Sequence, residues 1–485
     1  MTALPPDRPT ASARWRFGLA LFAVSLALLI ASLAPTVTLW DAGEFLAASK
    51  ILGIPHPPGT PLWVMLAHTW GTIVQVGSWA WRINLLTAVA SSVASACFGL
   101  VAWEALRRIP ALADSGTPRW LLPVGAGAAA LAGAFTFTNW QNSNETEVYA
   151  IAMCVIGLVV WSLLRWREQR GTVGADRILL LILYLLGLSI GNHLLALLSG
   201  PAIVAFLVLV SRETPLKDAA ERSREQATAA VVGGTWLLLI GLGLGNTNIS
   251  ILGAVCFAAA FIWALTHGRG IFATVALAVS LIGITSYLFL YIRSGQHPIL
   301  NEAQPDNWQS LLDVISRKQY PPRTPFDDPT FLHGPQNPGR SPLIIGLQIV
   351  NYFQYFVWQW GMGFADWRLK APFAAMYTLL GVLGFVAHRR GDKAAWGMLF
   401  VLFLTTGLGL MAYMNFKPGF SIGAKWFPNF SQHEVRERDY FFVVSFVTWG
   451  HWAGMGLVLL ARRAWASVDS GLRPLATGAV LALCL

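Results

Sequence analysis

Long apolar runs alternate with short polar loops along nearly the whole chain. The first run, 17–34, follows a basic segment with Arg8, Arg14 and Arg16, and runs of similar length recur as far as 440–460. A helix needs about 20 apolar residues to cross a bilayer. The pattern therefore predicts an all-α polytopic membrane protein, with one transmembrane domain over residues 1–485 and about 13 spans.

Basic residues indicate how the predicted spans are oriented. The pairs Arg107-Arg108, Arg389-Arg390 and Arg462-Arg463 each follow an apolar run. Short loops rich in Arg and Lys stay in the cytoplasm. With every pair on that side, the N-terminus is cytoplasmic, and the first run is a retained signal anchor.

The same alternation predicts three extracytoplasmic loops, 35–82, 293–372 and 415–439. The first two contain apolar segments, 61–76 and 343–360, that are bounded or interrupted by Pro, Gly, Asn or Gln. We interpret both segments as helices lying at the membrane interface rather than as spans.

Composition narrows the class further. The chain is 55% hydrophobic and 12% charged, with mean hydropathy +0.55, whereas soluble proteins carry roughly 25% charged residues. The net charge of +10 comes mainly from loop residues that set topology, so it does not indicate a nucleic-acid partner. The chain closes on an apolar run, 478–485, which we interpret as a truncated span with a further C-terminal region beyond it.

The segment 40–68 carries the first candidate chemistry. Asp41 and Glu44 follow the first apolar run directly, and a stiff turn, His56-Pro57-Pro58-Gly59, comes after them. Asp41 suits two roles. It can cap a short helix over 43–51, or act as a general base, because partial desolvation raises the pKa of a carboxylate toward neutral pH.

A second cluster lies just before the last long apolar run. Arg436 and Arg438 alternate there with Glu434, Glu437 and Asp439. One interpretation is an interfacial salt-bridge cluster. The other is that an arginine binds a donor phosphate, since its planar fork matches phosphate geometry and stabilises a departing anion. We favour Arg438, which is closer to the membrane.

Polar residues at other outer span ends are candidates for contacts with sugar or acceptor. Glu145 and Glu147 flank one turn, and Asn192 and His193 form another. Each could equally be a solvated span end, and His193 suits a structural role better than metal binding. No His, Asp or Glu spacing in the sequence suggests a metal site. We therefore predict no cofactor and leave dependence on a divalent ion open.

Five motifs together resemble the GT-C-fold membrane glycosyltransferases, and in particular a protein O-mannosyltransferase-like branch formerly described as a domain of unknown function. These motifs are W-D-A-G-E-F (40–45), H-P-P-G-T-P-L (56–62), N-E-T-E-V-Y-A (144–150), G-N-H-L-L (191–195) and E-V-R-E-R-D-Y-F-F (434–442). They are spread over almost the whole chain.

The resemblance implies transfer of a sugar, mannose by preference, from a polyprenyl-phosphate donor to an acceptor hydroxyl. The acceptor would be a protein Ser or Thr, a lipid or a glycan, at the outer face of a bacterial cytoplasmic membrane. An acid of the first outer loop would be the base. Asp41 is the first candidate and Glu44 the second, because the family's paired acids are adjacent and these are three residues apart. His56 would contact substrate.

Two other classes of function fit parts of the pattern. A transporter or flippase for a lipid-linked sugar would place acids within its spans and repeat its halves, whereas the acids here are concentrated in the outer loops. A non-catalytic scaffold for envelope polymers would function without Asp41.

Overall fold

The computed structural model describes residues 9–114, 116–213, 216, 218–320 and 324–482. Arg8 of the predicted basic flank and the last three residues of the run 478–485 lie outside this part. Within the described ranges the regular structure is helical, apart from one isolated bridge between Ile54 and Asn301.

Twenty α-helices follow one another in the described part of the chain. They are α1 (Ala11–Ser32), α2 (Ala42–Ile51), α3 (Pro61–Ile73), α4 (Trp79–Leu106), α5 (Leu121–Ala134), α6 (Phe137–Asn144), α7 (Tyr149–Glu168), α8 (Val173–Ile190), α9 (Gly200–Glu213), α10 (Ala219–Leu244), α11 (Thr247–Thr266), α12 (Gly270–Ile284), α13 (Leu288–Ser294), α14 (Trp308–Ile315), α15 (Pro342–Gly361), α16 (Trp367–Gly391), α17 (Lys393–Leu404), α18 (Leu410–Met414), α19 (Val443–Ser467) and α20 (Arg473–Leu481).

Eleven helical segments of the described chain are long and apolar enough to cross a membrane, and the number rises to 12 if α5 and α6, bent by 78°, form one broken span. This confirms a polytopic all-α membrane protein. The sequence pattern predicted about 13 spans. The count of 12 differs from this only in the terminal run, where α20 has nine residues, and the count of 11 also leaves out the bent pair α5 and α6. The two segments interpreted as interfacial, α3 and α15, are not among the candidate spans.

Helix α19 is the most deeply buried candidate span, and glycines let its neighbours approach closely. A Cβ added at Gly454 would lie 2.3 Å from the Cα of Ala129 in α5. One added at Gly456 would lie 2.2 Å from the carbonyl oxygen of Leu380 in α16. Small residues are what allow backbone-to-backbone packing of this kind between membrane helices. These contacts fix the position of α19. Arg436 and Arg438 lie in the segment just before its N-terminal end.

Ion pairs tie the helices together at the opposite end of the bundle. Arg14 of α1 pairs with Glu104 of α4 at 2.9 Å, and Glu104 also accepts from Arg107 at 2.7 Å. Arg167 of α7 lies 2.8 Å from Asp392, the residue before α17. Such paired charges avoid the large cost of isolated buried ions. They hold four helices in register and leave the other end free to form a site.

Candidate active site

Asp41 occupies the N-cap position of α2, as predicted, but its side chain makes no capping hydrogen bond. Instead it accepts a hydrogen bond from Arg436 Nη2 at 3.0 Å. The preceding residue, Trp40, has φ of 61°, a left-handed conformation that is strained for a bulky side chain. The Asp41 side chain is 38% exposed, so it is accessible to a substrate as well as paired with an arginine.

Glu44 is engaged by the turn that follows α2. Its Oε1 accepts from the backbone N–H of His56 at 2.7 Å, and its Oε2 lies 2.5 Å from His56 Nδ1. The hydrogen bond with Glu44 raises the pKa of His56. Burial acts to raise the pKa of Glu44, but the hydrogen bonds and charge of His56 outweigh it and lower the net value. The pair holds the turn against α2 and occupies both carboxylate oxygens.

The hydroxyl of Tyr440 joins the two arginines. Its oxygen accepts from Arg436 Nε at 3.0 Å and from Arg438 Nη1 at 2.5 Å. The Arg436 guanidinium also lies over the rings of Trp40, at 5.1 Å, and Tyr440, at 4.5 Å. Arg438 pairs with Glu434 at 2.8 Å. Sequence reasoning did not assign Tyr440 a role, although its place in E-V-R-E-R-D-Y-F-F was a signal.

Both arginines stay charged in these surroundings. Burial acts to lower the pKa of Arg438, but Tyr440 and Glu434 outweigh it and raise the net value. Arg438 also lines a narrow crevice with Lys417 of the loop before α19 and Tyr355 of α15. The two cations of this crevice suit a phosphate, whereas the Tyr355 hydroxyl already donates to Glu437 Oε2 at 2.5 Å.

Glu145 and Glu147 lie in the turn between α6 and α7. Burial raises the pKa of both carboxyl groups. For Glu147 the value reaches about 8, because the negative charge of Asp41 adds to the effect of burial and the positive charge of Arg436 only partly offsets it. Glu147 is therefore a neutral acid at neutral pH, within the electrostatic reach of Asp41.

Asn192 and His193 follow the C-terminal end of α8 and contact the same region. Asn192 Nδ2 donates to the carbonyl oxygen of Val148 at 3.1 Å. His193 Nδ1 accepts from the N–H of Leu195 at 3.1 Å, and its ring packs against Tyr149 at 4.8 Å. Burial lowers the pKa of His193 to about 3, so it is neutral. Tyr149 in turn contacts the ring of Tyr440, at 5.1 Å, which connects this cluster to the arginines.

The structure thus gathers nearly all the predicted site residues at one end of the bundle, which we name the Asp41 end. Asp41 and Arg436 meet directly, Arg438 joins them through Tyr440, and Glu147 lies close by. His56 is tied to Glu44 rather than to this network. Across the described ranges, no group of three His, Cys, Asp or Glu side chains is arranged to hold a metal ion.

The fold and these contacts define a polytopic α-helical membrane protein with an acid–arginine network at one end of its spans. Residues 41–217 match the family model of the protein O-mannosyl-transferase TMEM260 N-terminal domain. This match begins at Asp41 and includes His193, whereas Arg436 and Arg438 lie beyond it.

Two curated relatives are similar to part of this chain. The protein O-mannosyl-transferase TMEM260 of mouse is 30% identical over 187 residues, which is 38% of this chain and 24% of that protein. The corresponding protein of Dictyostelium discoideum is 35% identical over 63 residues, 13% of this chain and 8% of its own length. The chain thus matches about a quarter of the mouse relative. These matches confirm the resemblance to protein O-mannosyltransferases that the motifs predicted.

One solved structure is similar over most of the chain. The Archaeoglobus fulgidus oligosaccharyltransferase in its apo form covers 98% of this chain, and the alignment includes 54% of that protein, with 12% sequence identity and a TM-score of 0.47.

Proposed function

We propose that this protein is a GT-C-type membrane glycosyltransferase that moves a sugar, mannose by preference, from a polyprenyl-phosphate donor to a hydroxyl of a protein Ser or Thr. The observation that carries the proposal is the contact between Asp41 and Arg436, 3.0 Å long. It joins the first residue of the region matched to O-mannosyl-transferases with the arginine-rich motif before α19. The site would face the extracytoplasmic side of a bacterial cytoplasmic membrane, with the N-terminus in the cytoplasm.

Asp41 is the proposed general base. Its exposed carboxylate would accept the proton of the acceptor hydroxyl as the acceptor oxygen bonds to the anomeric carbon of the sugar. The bond from that carbon to the donor phosphate would break at the same time, which inverts the configuration at that carbon. Glu44 is the weaker candidate for the base because His56 engages both of its oxygens.

The arginines have different proposed roles. Arg436 holds the Asp41 carboxylate in place through its Nη2 and would keep the site positive when the negatively charged donor arrives. Arg438, in the crevice with Lys417, would bind the departing polyprenyl phosphate, whose new charge needs fixed donors in the transition state. Tyr440 keeps the two guanidinium groups side by side, so the base and the phosphate site are one connected unit.

The remaining acids and polar residues would bind the reactants. Glu147, neutral at pH 7, would donate a hydrogen bond to a sugar hydroxyl without adding a second negative charge beside Asp41. Glu145, Asn192 and His193 would shape the substrate site at the Asp41 end. No organic cofactor takes part in this scheme, and the departing phosphate is stabilised by arginine.

The test is transfer of radiolabelled sugar by the purified chain in detergent. Mannosyl-phospho-polyprenol, its glucosyl counterpart and an arabinosyl donor would each be offered with membrane-protein extract, before and after EDTA treatment. Mannose label on protein is the expected result. Label from another donor alone would overturn the choice of mannose, and loss with EDTA would show that transfer also needs a divalent ion. If no donor transfers label, the glycosyltransferase proposal is wrong.

A further inference from the structure

A groove with an apolar floor and a cationic rim lies between the C-terminal ends of α16 and α19. Its volume is about 400 Å³. Leu383 and Val386 of α16 and Leu459 of α19 form the floor, and Arg390 and Arg463 lie on the rim together with a third arginine, Arg462. The short 3₁₀ segment after α4 closes one side. The lining contains no acidic residue.

The groove lies far from the Asp41 end. Helix α19 has 25 residues, so it is about 37 Å long, and Arg463 lies near its C-terminus whereas Arg438 precedes its N-terminus. Near the groove Trp465 contacts Trp120, with ring centroids 5.8 Å apart. Tryptophan is enriched where a membrane protein meets the headgroups. The rim is therefore at headgroup level in the leaflet opposite the candidate active site.

Two of the three rim arginines are available to a ligand. Arg462 donates to Thr117 at 2.8 Å and pairs with Asp114 at 3.2 Å. Arg390 and Arg463 are exposed, and within the described part of the chain neither has an ion-pair partner. Two unpaired guanidinium groups beside an apolar floor suit an anion that carries a hydrocarbon chain.

We propose that this groove binds an anionic phospholipid. The lipid phosphate would lie between Arg390 and Arg463, where each guanidinium can donate two parallel hydrogen bonds. One acyl chain would cover Leu383, Val386 and Leu459. Basic pockets between membrane helices attract anionic headgroups in this way. The proposal is independent of the transferase reaction, because the two sites are at opposite ends of α19.

The experiment is native mass spectrometry of the full chain in detergent, titrated with phosphatidylglycerol and with phosphatidylcholine of the same acyl chains. Each arginine near an anionic headgroup favours binding roughly fivefold, so phosphatidylglycerol should bind roughly 25-fold more tightly than phosphatidylcholine. Arg390→Gln with Arg463→Gln should abolish that preference. The control pair, Arg16→Gln with Arg389→Gln, removes the same amount of charge at the same end of the bundle. It should retain the preference for phosphatidylglycerol.

A second variant tests the floor of the groove. Val386→Trp, at an exposed position, should fill the groove and weaken both lipids while leaving the melting temperature unchanged. Equal binding of the two lipids, or the same loss in the control pair, would overturn the proposal. Displacement by millimolar inorganic phosphate would show an anion site without an acyl requirement. Tighter binding of polyprenyl phosphate than of phosphatidylglycerol would show a carrier site, and either result also contradicts the proposal.

Discussion

Glu147 is a carboxylic acid whose surroundings disfavour its charge. Burial, and then the charge of Asp41, raise its pKa from an ordinary 4.5 to about 8. Between those values the folded protein holds a proton that the unfolded chain releases, so stability falls as pH rises through this range. Glu147→Gln keeps the neutral shape and removes the titration. The melting temperature of the wild type should therefore fall relative to that of Glu147→Gln between pH 5 and 8.

Differential scanning calorimetry of both proteins in detergent, at several pH values, checks this expectation. Asp469→Asn, which changes an exposed acid after α19, is the matched control and should follow the wild type at every pH. A constant difference between Glu147→Gln and the wild type from pH 5 to 8 would contradict a raised pKa at Glu147.

Tyr440 is expected to matter through its hydroxyl group. Tyr440→Phe keeps the ring contacts with Tyr149 and Arg436 but leaves one N–H of each arginine without its acceptor. Hydrogen bonds to charged groups contribute about 1.5–3 kcal/mol, so the transfer rate should fall roughly tenfold or more. The rate of sugar transfer is the measurement, with Tyr184→Phe in α8 as a control that should keep full activity. An unchanged transfer rate in Tyr440→Phe would contradict a role for the Tyr440 hydroxyl in sugar transfer.

At the scale of single residues, the sequence motifs selected the candidate side chains but did not show which of them are in contact. Asp41 and Arg436 were both selected from their motifs, yet 395 residues separate them and no spacing rule predicts that they meet. The capping role of Asp41 could be checked only by geometry. Its carboxylate turns to Arg436 and leaves the N-cap bond of α2 unmade. The engagement of Glu44 by His56 depends on the path of the intervening turn, which local pattern does not specify.

At the scale of elements, the packing of α19 on α5 depends on the absence of a side chain at Gly454. A Cβ at Gly454 would lie 2.3 Å from backbone in α5, so Gly454→Ala must push the helices apart. Overpacking of this kind costs about 1–3 kcal/mol. The variant should melt several degrees lower and transfer sugar more slowly, because Arg436 and Arg438 lie in the segment just before the N-terminus of α19.

Gly346→Ala is the matched control, since a Cβ there has no neighbour within 4 Å. It should melt at or slightly above the wild-type temperature, because alanine favours helix over glycine. Thermal unfolding of the two variants side by side checks the prediction. Equal melting temperatures for both would contradict the close contact between α5 and α19.

One helix that the hydrophobic pattern did not predict, α6, is explained by local hydrogen bonds. The hydrophobic pattern indicates no helix in the polar stretch after α5, but Phe137–Asn144 forms helix α6. Its amide side chains bond back one turn, with Asn142 Nδ2 donating to Thr138 O and Asn144 Nδ2 to Trp140 O, each at 2.7 Å. A scan for apolar runs does not detect a helix stabilised in this way.

At the scale of the whole molecule, the class of fold followed from the hydrophobic pattern because a bilayer constrains helix length so strongly. The hydrophobic pattern did not show which helices pack against each other. Helix α19 is near the end of the sequence but packs against α5 and α16, and its contacts rest on glycines whose partners are distant in sequence. The Asp41 end is therefore a property of the assembled bundle, in which the segments 35–82 and 415–439 meet through Asp41 and Arg436.

The most direct test of the account separates binding from chemistry at Asp41. Single-turnover transfer and donor affinity would be measured for the wild type, Asp41→Asn, Glu44→Gln and Arg438→Gln. A general base contributes roughly 10²–10⁴-fold, so Asp41→Asn should bind donor nearly as well as the wild type and lose at least roughly a hundredfold in transfer rate. Arg438→Gln should instead weaken donor binding. Full transfer by Asp41→Asn, or loss only in Glu44→Gln, would contradict the account.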